Sequence, residues 1–263
     1  MLLNTATHKP ADYMKSNQHV KVLSPEVTLE QMITSDQTIA ELLASIGLDA
    51  FKHQEKTLRQ VCLEKQWNEE EVLTWIRKNQ YLDQVGPDES EDDDKILEQK
   101  NIAQMCDYLE DVYHVKVREL LEDIHEKFPR VCKVHGQQYP WLKQVHWQFN
   151  NLHDDLELFL KFEREKFFNF IRQLHLKESQ VMDGLAQSLK HAIVVLDRDH
   201  TRLTRSMREV QKASRDFYLP DGSCTTFRIV MQDLKELFDK LEEHFNAEKT
   251  YLIPEVRNKL HSV

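Results

Sequence analysis

Apolar residues recur at intervals of three and four along most of this chain, the spacing of one face of a helix. Four long stretches carry the pattern, at about 96–135, 139–175, 177–216 and 225–260. Three shorter ones precede them: TIAELLASIG, KTLRQVCLEK and NEEEVLTWIRKN. The last of these opens on Asn68, placed to cap a helix whose first turn holds three glutamates, where the helix dipole favours them. Pro129 lies inside the first long stretch and should kink or interrupt it, because proline removes a hydrogen bond and clashes one turn back. Leu219-Pro220-Asp221-Gly222 has the chemistry of a turn. Four long helices with short joins predict an all-α, up-and-down four-helix bundle, with a small helical domain ahead of it.

Composition supports the helical reading and bounds the rest. Five glycines and seven prolines in 263 residues are too few for a sandwich full of tight turns. Residues 1–34 show no clear period and read as an N-terminal tail or packing arm. Residues 35–82 read as the small helical domain, and 83–95 as a linker. In that linker six acids crowd the seven positions from Asp88 to Asp94, repel one another and cannot pack. Residues 96–263 read as the bundle. A net charge of −10 disfavours nucleic acid and anionic membranes as partners. The four cysteines stand far apart with no CxxC pair, which predicts reduced thiols in a cytoplasm. With no secretory leader and no apolar run of membrane-spanning length, the expected location is cytoplasmic.

Chemistry enters through polar groups set in the middle of the apolar stripes. His200 follows Ile193 and Leu196 and precedes Leu203 and Met207 on one face. His244 falls with Leu237, Leu241 and Leu252, and Glu248 lies one turn beyond it. Glu163 is bracketed by Leu156, Leu160, Phe167 and Phe170, while His114 shares its face with Val117 and Leu121. Taken singly, each would be an ordinary hydrogen-bonded or salt-bridged core residue. Four helices each turning such a group inward call for a compensating charge, since an unpartnered buried carboxylate is costly. Imidazole with carboxylate suits iron, zinc or manganese. His244 and Glu248, at i and i+4, are neighbours about 6 Å apart, and two glutamates from different helices could clamp a dinuclear centre.

These segments resemble the iron-sulfur cluster repair di-iron proteins, the repair-of-iron-centres family, over about residues 35–260. The matching pieces are Tyr113-His114 with Arg118, Lys133-Val134-His135-Gly136, Asp155-Leu156 with Glu163 and Phe167-Phe168, and Asp199-His200. Cys224-Thr225-Thr226-Phe227 is similar to the family's Cys-Thr-Thr-Trp, and His244 to Glu248 with Leu252-Ile253-Pro254 to its His-x-x-x-Glu and Leu-Phe-Pro. The resemblance implies a hemerythrin-like bundle binding non-haem, dinuclear iron. The implied ligands are His114, His135, His200 and His244, with Glu163 and Glu248 as bridging carboxylates. His125, His146, His153, His175 and His191 match no family ligand and read as surface or structural residues. Arg198, Arg202, Arg205, Arg208, Lys212 and Arg215 form a basic stripe, read as a solvated face paired with acids.

Two departures qualify what the resemblance implies. The family has a histidine one turn before its first bridging glutamate, where this chain has Phe159. His153 lies roughly 80° away around a straight helix and is a poor substitute. One metal should therefore lose a nitrogen ligand and bind water there, or bind weakly. In the small domain the family's Asp-Phe-Cys-Cys-Gly-Gly is replaced by Asp49-Ala50-Phe51-Lys52-His53-Gln54, so thiol chemistry is not expected and the domain is left as scaffold or docking surface. The implied function is repair of iron-sulfur clusters damaged by nitrosative or oxidative stress, in a bacterial cytoplasm, with damaged iron-sulfur proteins as clients. Capture or sensing of oxygen or nitric oxide is the alternative, and a degenerate interaction scaffold is a third reading. Whether the chemistry is catalytic is left open, as is a homodimer.

Overall fold

A computed structural model describes residues 23–85, 93–176 and 183–261. The chain divides into two compact units, Met1–Tyr81 and Leu82–Val263. Among the described residues it is all-α, with one isolated antiparallel bridge between Thr28 and Thr57.

The first unit contains α1 (Leu29–Ser35), α2 (Thr38–Ser45), a 3₁₀ turn (Ala50–His53), α3 (Leu58–Lys65) and α4 (Glu69–Val85), the last running past the unit boundary. Thr28 and Thr57 each close a capping box, with Gln31 and Gln60 as the reciprocal partners. Asn68 Oδ1 accepts from the Glu70 and Glu71 amides, the capping role its position suggested. Leu29, Met32, Leu43, Leu58, Val72 and Ile76 form the buried interior. Helix α1 stands in the stretch read from sequence as a tail or arm. At 7 residues it is too short for a 3.6-residue period to show.

The second unit opens with α5 (Asp93–Glu98) and continues in four rods. Asp88 to Glu91 and Asp92 of the acidic run lie outside the described residues; Asp93 and Asp94 begin α5. The first rod joins α6 (Ile102–Tyr108), a π-helical segment (Leu109–His114) and α7 (Val115–His135). The second joins α8 (Trp141–Phe162), a π segment (Glu163–Phe167) and α9 (Phe168–Leu176). The third is α10 (Asp183–Ala213), and the fourth joins α11 (Thr225–Ala247), a π segment (Glu248–Leu252) and α12 (Ile253–His261).

The rods run up and down. Residues 107, 114 and 128 of the first meet 172, 168 and 149 of the second, so the numbering runs in opposite directions. The same holds for 114 and 135 against 244 and 227 on the fourth rod, and for 155 and 159 against 202 and 200 on the second and third. Gly136 makes the first reversal feasible: a Cβ there would stand 2.3 Å from the Cys132 carbonyl oxygen. Pro220 to Ser223 form the expected turn, closed by the Ser223 amide on the Pro220 carbonyl at 3.2 Å. Of the two outcomes expected at Pro129, interruption does not occur: α7 runs through it. Its neighbours Phe128 and Val131 are buried, and their packing carries the helix through the lost hydrogen bond. No described helix is long and apolar enough to cross a membrane.

The π segments change which residues face inward. Phe168 N–H bonds to the Glu163 carbonyl and Ile253 N–H to the Glu248 carbonyl, each five residues back. One extra residue in a turn moves the following face by about 100°. Adjacent residues are therefore buried together: Tyr113 with His114, Phe167 with Phe168, and Leu252 with Ile253. Phe170, which a uniform stripe would bury, is only partly covered.

Candidate metal centre

All three π segments contain a candidate ligand: His114 ends the first, Glu163 opens the second and Glu248 opens the third. Such bulges often mark functional sites, because they re-aim side chains that a regular helix would direct elsewhere. His200 comes from the unbroken third rod, and His244 from the last turn of α11.

These five side chains converge in the interior, each with at most 1% of its surface exposed. His114 Nε2 lies 3.0 Å from Glu163 Oε2, and His244 Nε2 lies 3.3 Å from Glu163 Oε1. His200 Nε2 stands 2.8 Å from Glu248 Oε2, and His244 Nε2 is 3.4 Å from that same oxygen. Two overlapping groups result, His114–Glu163–His244 and Glu163–His200–Glu248, each with its ligand atoms within 4.8 Å of one another. Glu163 belongs to both groups. Glu248 reaches histidines of both.

Aromatic rings enclose the cluster. Phe168 stacks on His114 at 5.5 Å, Tyr113 meets His244 edge-on at 5.6 Å, and Phe245 lies 4.4 Å from His200. Phe159 is buried against His200, His244 and Phe245. Phe245 escaped the sequence reading. Its only signal was adjacency to His244 on a fully apolar face.

Burial sets the charges. It pushes the His114 imidazole down to about 2, helped by the neighbouring His244. Burial also opposes charge on His244, but Glu163 and Glu248 outweigh it and hold that imidazole up to about 10. Burial and then the facing Glu248 drive the Glu163 carboxyl well above the usual carboxylate range. Glu248 resists its own burial because His244 and His200 hold it low. Without an ion, then, burial favours the protonated form of Glu163 and the two carboxylates favour a proton on His244. Glu248 Oε1 has no hydrogen-bond partner, nor has Nδ1 of His114, His200 or His244. A dry pair of carboxylates with three imidazoles and unsatisfied acceptor capacity fits divalent cations.

Metal must displace any proton on a donor atom, because such an atom cannot hold both. Loading at pH 7 is expected to release protons, and affinity to fall as pH falls. Titrations in buffers of different ionisation enthalpy measure this. Release of none would show that the ion binds elsewhere.

His135, implied as a ligand by the resemblance, is not brought to this cluster. It ends α7, 21 residues beyond the π segment, so about 30 Å of helix separates it from His114. It packs against Phe227 and Tyr139, at ring distances of 5.3 Å and 6.4 Å. His135→Ala is expected to leave metal content unchanged by elemental analysis. His125, His146, His153, His175 and His191 join neither donor group; His125 and His153 stack on each other at 4.8 Å. The basic stripe is paired with acids at Arg202–Asp155 (2.8 Å) and Arg205–Glu209 (3.3 Å), as befits a solvated face.

No family model matches the chain. Among curated proteins it is similar to the iron-sulfur cluster repair protein ScdA of Staphylococcus epidermidis, at 22% identity over 156 residues, 59% of this chain and 67% of that protein. It is also similar to the iron-sulfur cluster repair protein YtfE of Escherichia coli, at 23% identity over 153 residues, 58% of this chain and 65% of that protein. YtfE of Escherichia fergusonii matches to the same extent. The chain thus spans about two thirds of the length of these relatives. Five inward donors in two overlapping groups therefore occur in a chain that is distantly related to proteins named for iron-sulfur cluster repair.

Proposed function

We propose that this chain is a non-haem di-iron protein acting in the repair of iron-sulfur clusters damaged by nitrosative or oxidative stress. The observation that carries this is the convergence of His114, His200, His244, Glu163 and Glu248 in two donor groups sharing a carboxylate. Iron bound there supplies redox chemistry and open positions for small ligands such as nitric oxide or oxygen. The chain's own part is to hold and insulate. Glu163 and Glu248 span the two groups, the imidazoles fix their orientation, and Tyr113, Phe168 and Phe245 keep water out. The proposed setting is a bacterial cytoplasm, with damaged iron-sulfur proteins as clients.

The first unit has no evident share in this chemistry. Cys62 is buried, and burial pushes its thiol up to about 11, so almost no thiolate forms at neutral pH. A scaffold or docking role suits it better. Phe159, set against His200 where a nitrogen donor would complete the second group, favours a second reading: an incomplete centre that binds oxygen or nitric oxide, or serves only in interaction.

Anaerobically purified protein is expected to carry about two irons per chain, one for each donor group, and to restore cluster enzymes in a strain lacking its own repair protein. Stoichiometric iron without restoration would favour the binding or sensing role. Absence of specifically bound iron would defeat the di-iron reading.

A further inference from the structure

The centre is built twice from the same parts. On the fourth rod, His244 precedes Glu248 by four residues, and that glutamate opens a π segment. On the second rod, Phe159 precedes Glu163 by four residues, and that glutamate opens another. Each pair is joined by a histidine from a different rod: His114 lies against Glu163 and beside His244, and His200 lies beside Phe159 and against Glu248. The halves correspond except at one position. One holds two imidazoles and the other holds one.

We propose that Phe159 divides the centre into a resident metal position, held by His114, His244 and Glu163, and an exchangeable one, held by His200, Glu163 and Glu248, which also accepts a harder divalent ion such as manganese(II). This rests on the dinuclear reading above. Phenylalanine carbon has no lone pair to donate, and Phe159 is only 1% exposed, so no solvent-borne side chain can take its place. Phe245 also packs on the His200 ring, at 4.4 Å, with equally inert carbon. Altering merely the outer partners of a metal ligand costs about 10- to 100-fold in affinity, and a missing direct donor costs at least as much. The remaining donors are mostly carboxylate oxygens, which suit manganese(II) better than a second imidazole would.

The full-length protein, loaded anaerobically with iron(II), is challenged separately with a strong chelator and with excess manganese(II). Iron should leave in two equal phases whose rates differ by about tenfold or more, and manganese should replace only the faster half. Phe159→His should slow the fast phase towards the other and suppress manganese uptake, in protein shown by circular dichroism to keep its helicity. His200→Ala should abolish the fast phase alone, and His114→Ala should affect the slow one, which tests the same division without altering position 159. A single release rate for both irons in the wild type, or manganese replacing both equally, would overturn the inference while leaving the di-iron reading intact. Failure to hold stoichiometric iron at all would instead overturn that reading.

Discussion

Glu163→Ala should leave the protein with less than about a tenth of its iron, the largest loss expected from any single substitution. Glu163 is the one side chain common to both donor groups, with one oxygen towards His114 and the other towards His244. Its removal takes a charge from each position at once, whereas loss of a histidine affects one. Glu165→Ala, two residues away on the exposed face, is the control and should keep full iron content. The two variants should also part in their melting curves. Iron present at a thousandfold above its dissociation constant stabilises by about 4 kcal/mol, a gain the wild type and Glu165→Ala show and Glu163→Ala lacks. Melting is compared with and without iron, because Glu163→Ala also takes a partner from His114 and His244 in the metal-free form. Retention of about one iron by Glu163→Ala would mean that Glu248 alone can anchor a position.

Phe227→Ala should be the most damaging change at the start of the fourth rod. Phe227 is fully buried, within 5.3 Å of the His135 ring, 6.1 Å of Tyr139 and 6.0 Å of Trp141. It closes the space between the start of the fourth rod and the turn linking the first two. Truncating such a ring costs about 3–5 kcal/mol, which in a domain of this size lowers the melting temperature by about 10 °C or more. The folded fraction should still bind iron in full, since His244 and Glu248 lie 17 and 21 residues further along the fourth rod than Phe227. A variant that loses iron while keeping its melting temperature would reverse this assignment of roles.

The bundle was legible because three- and four-residue spacing is strong over thirty residues at a time. His114, Glu163, His200, His244 and Glu248 were legible for the same reason: polar groups on an otherwise apolar stripe must go inward with the stripe. His135 is different. Likeness of a short segment located it in sequence, but a motif carries no information about distance along a rod, and α7 places it far from the rest. Helix α1 was missed because its order comes from the Thr28 capping box and a bridge to Thr57, partners that a periodicity scan ignores. The wide turns were also missed, although neighbouring apolar pairs such as Phe167-Phe168 and Leu252-Ile253 are their trace in the sequence.

Those wide turns have a consequence for how the chain tolerates change in length. Each interrupted rod is two helical frames spliced out of phase, with the splice at an inward-facing candidate ligand. Excision of a single residue just after Glu163 would turn the five-residue bond from Phe168 to Glu163 into an ordinary four-residue one and leave Ile171 and Leu174 facing inward. Regular winding of the same residues, with none removed, would instead swing every side chain downstream about 100°, taking Ile171 and Leu174 out of the interior where they now lie. The irregularity is thus what keeps the two ends of each rod facing the same way.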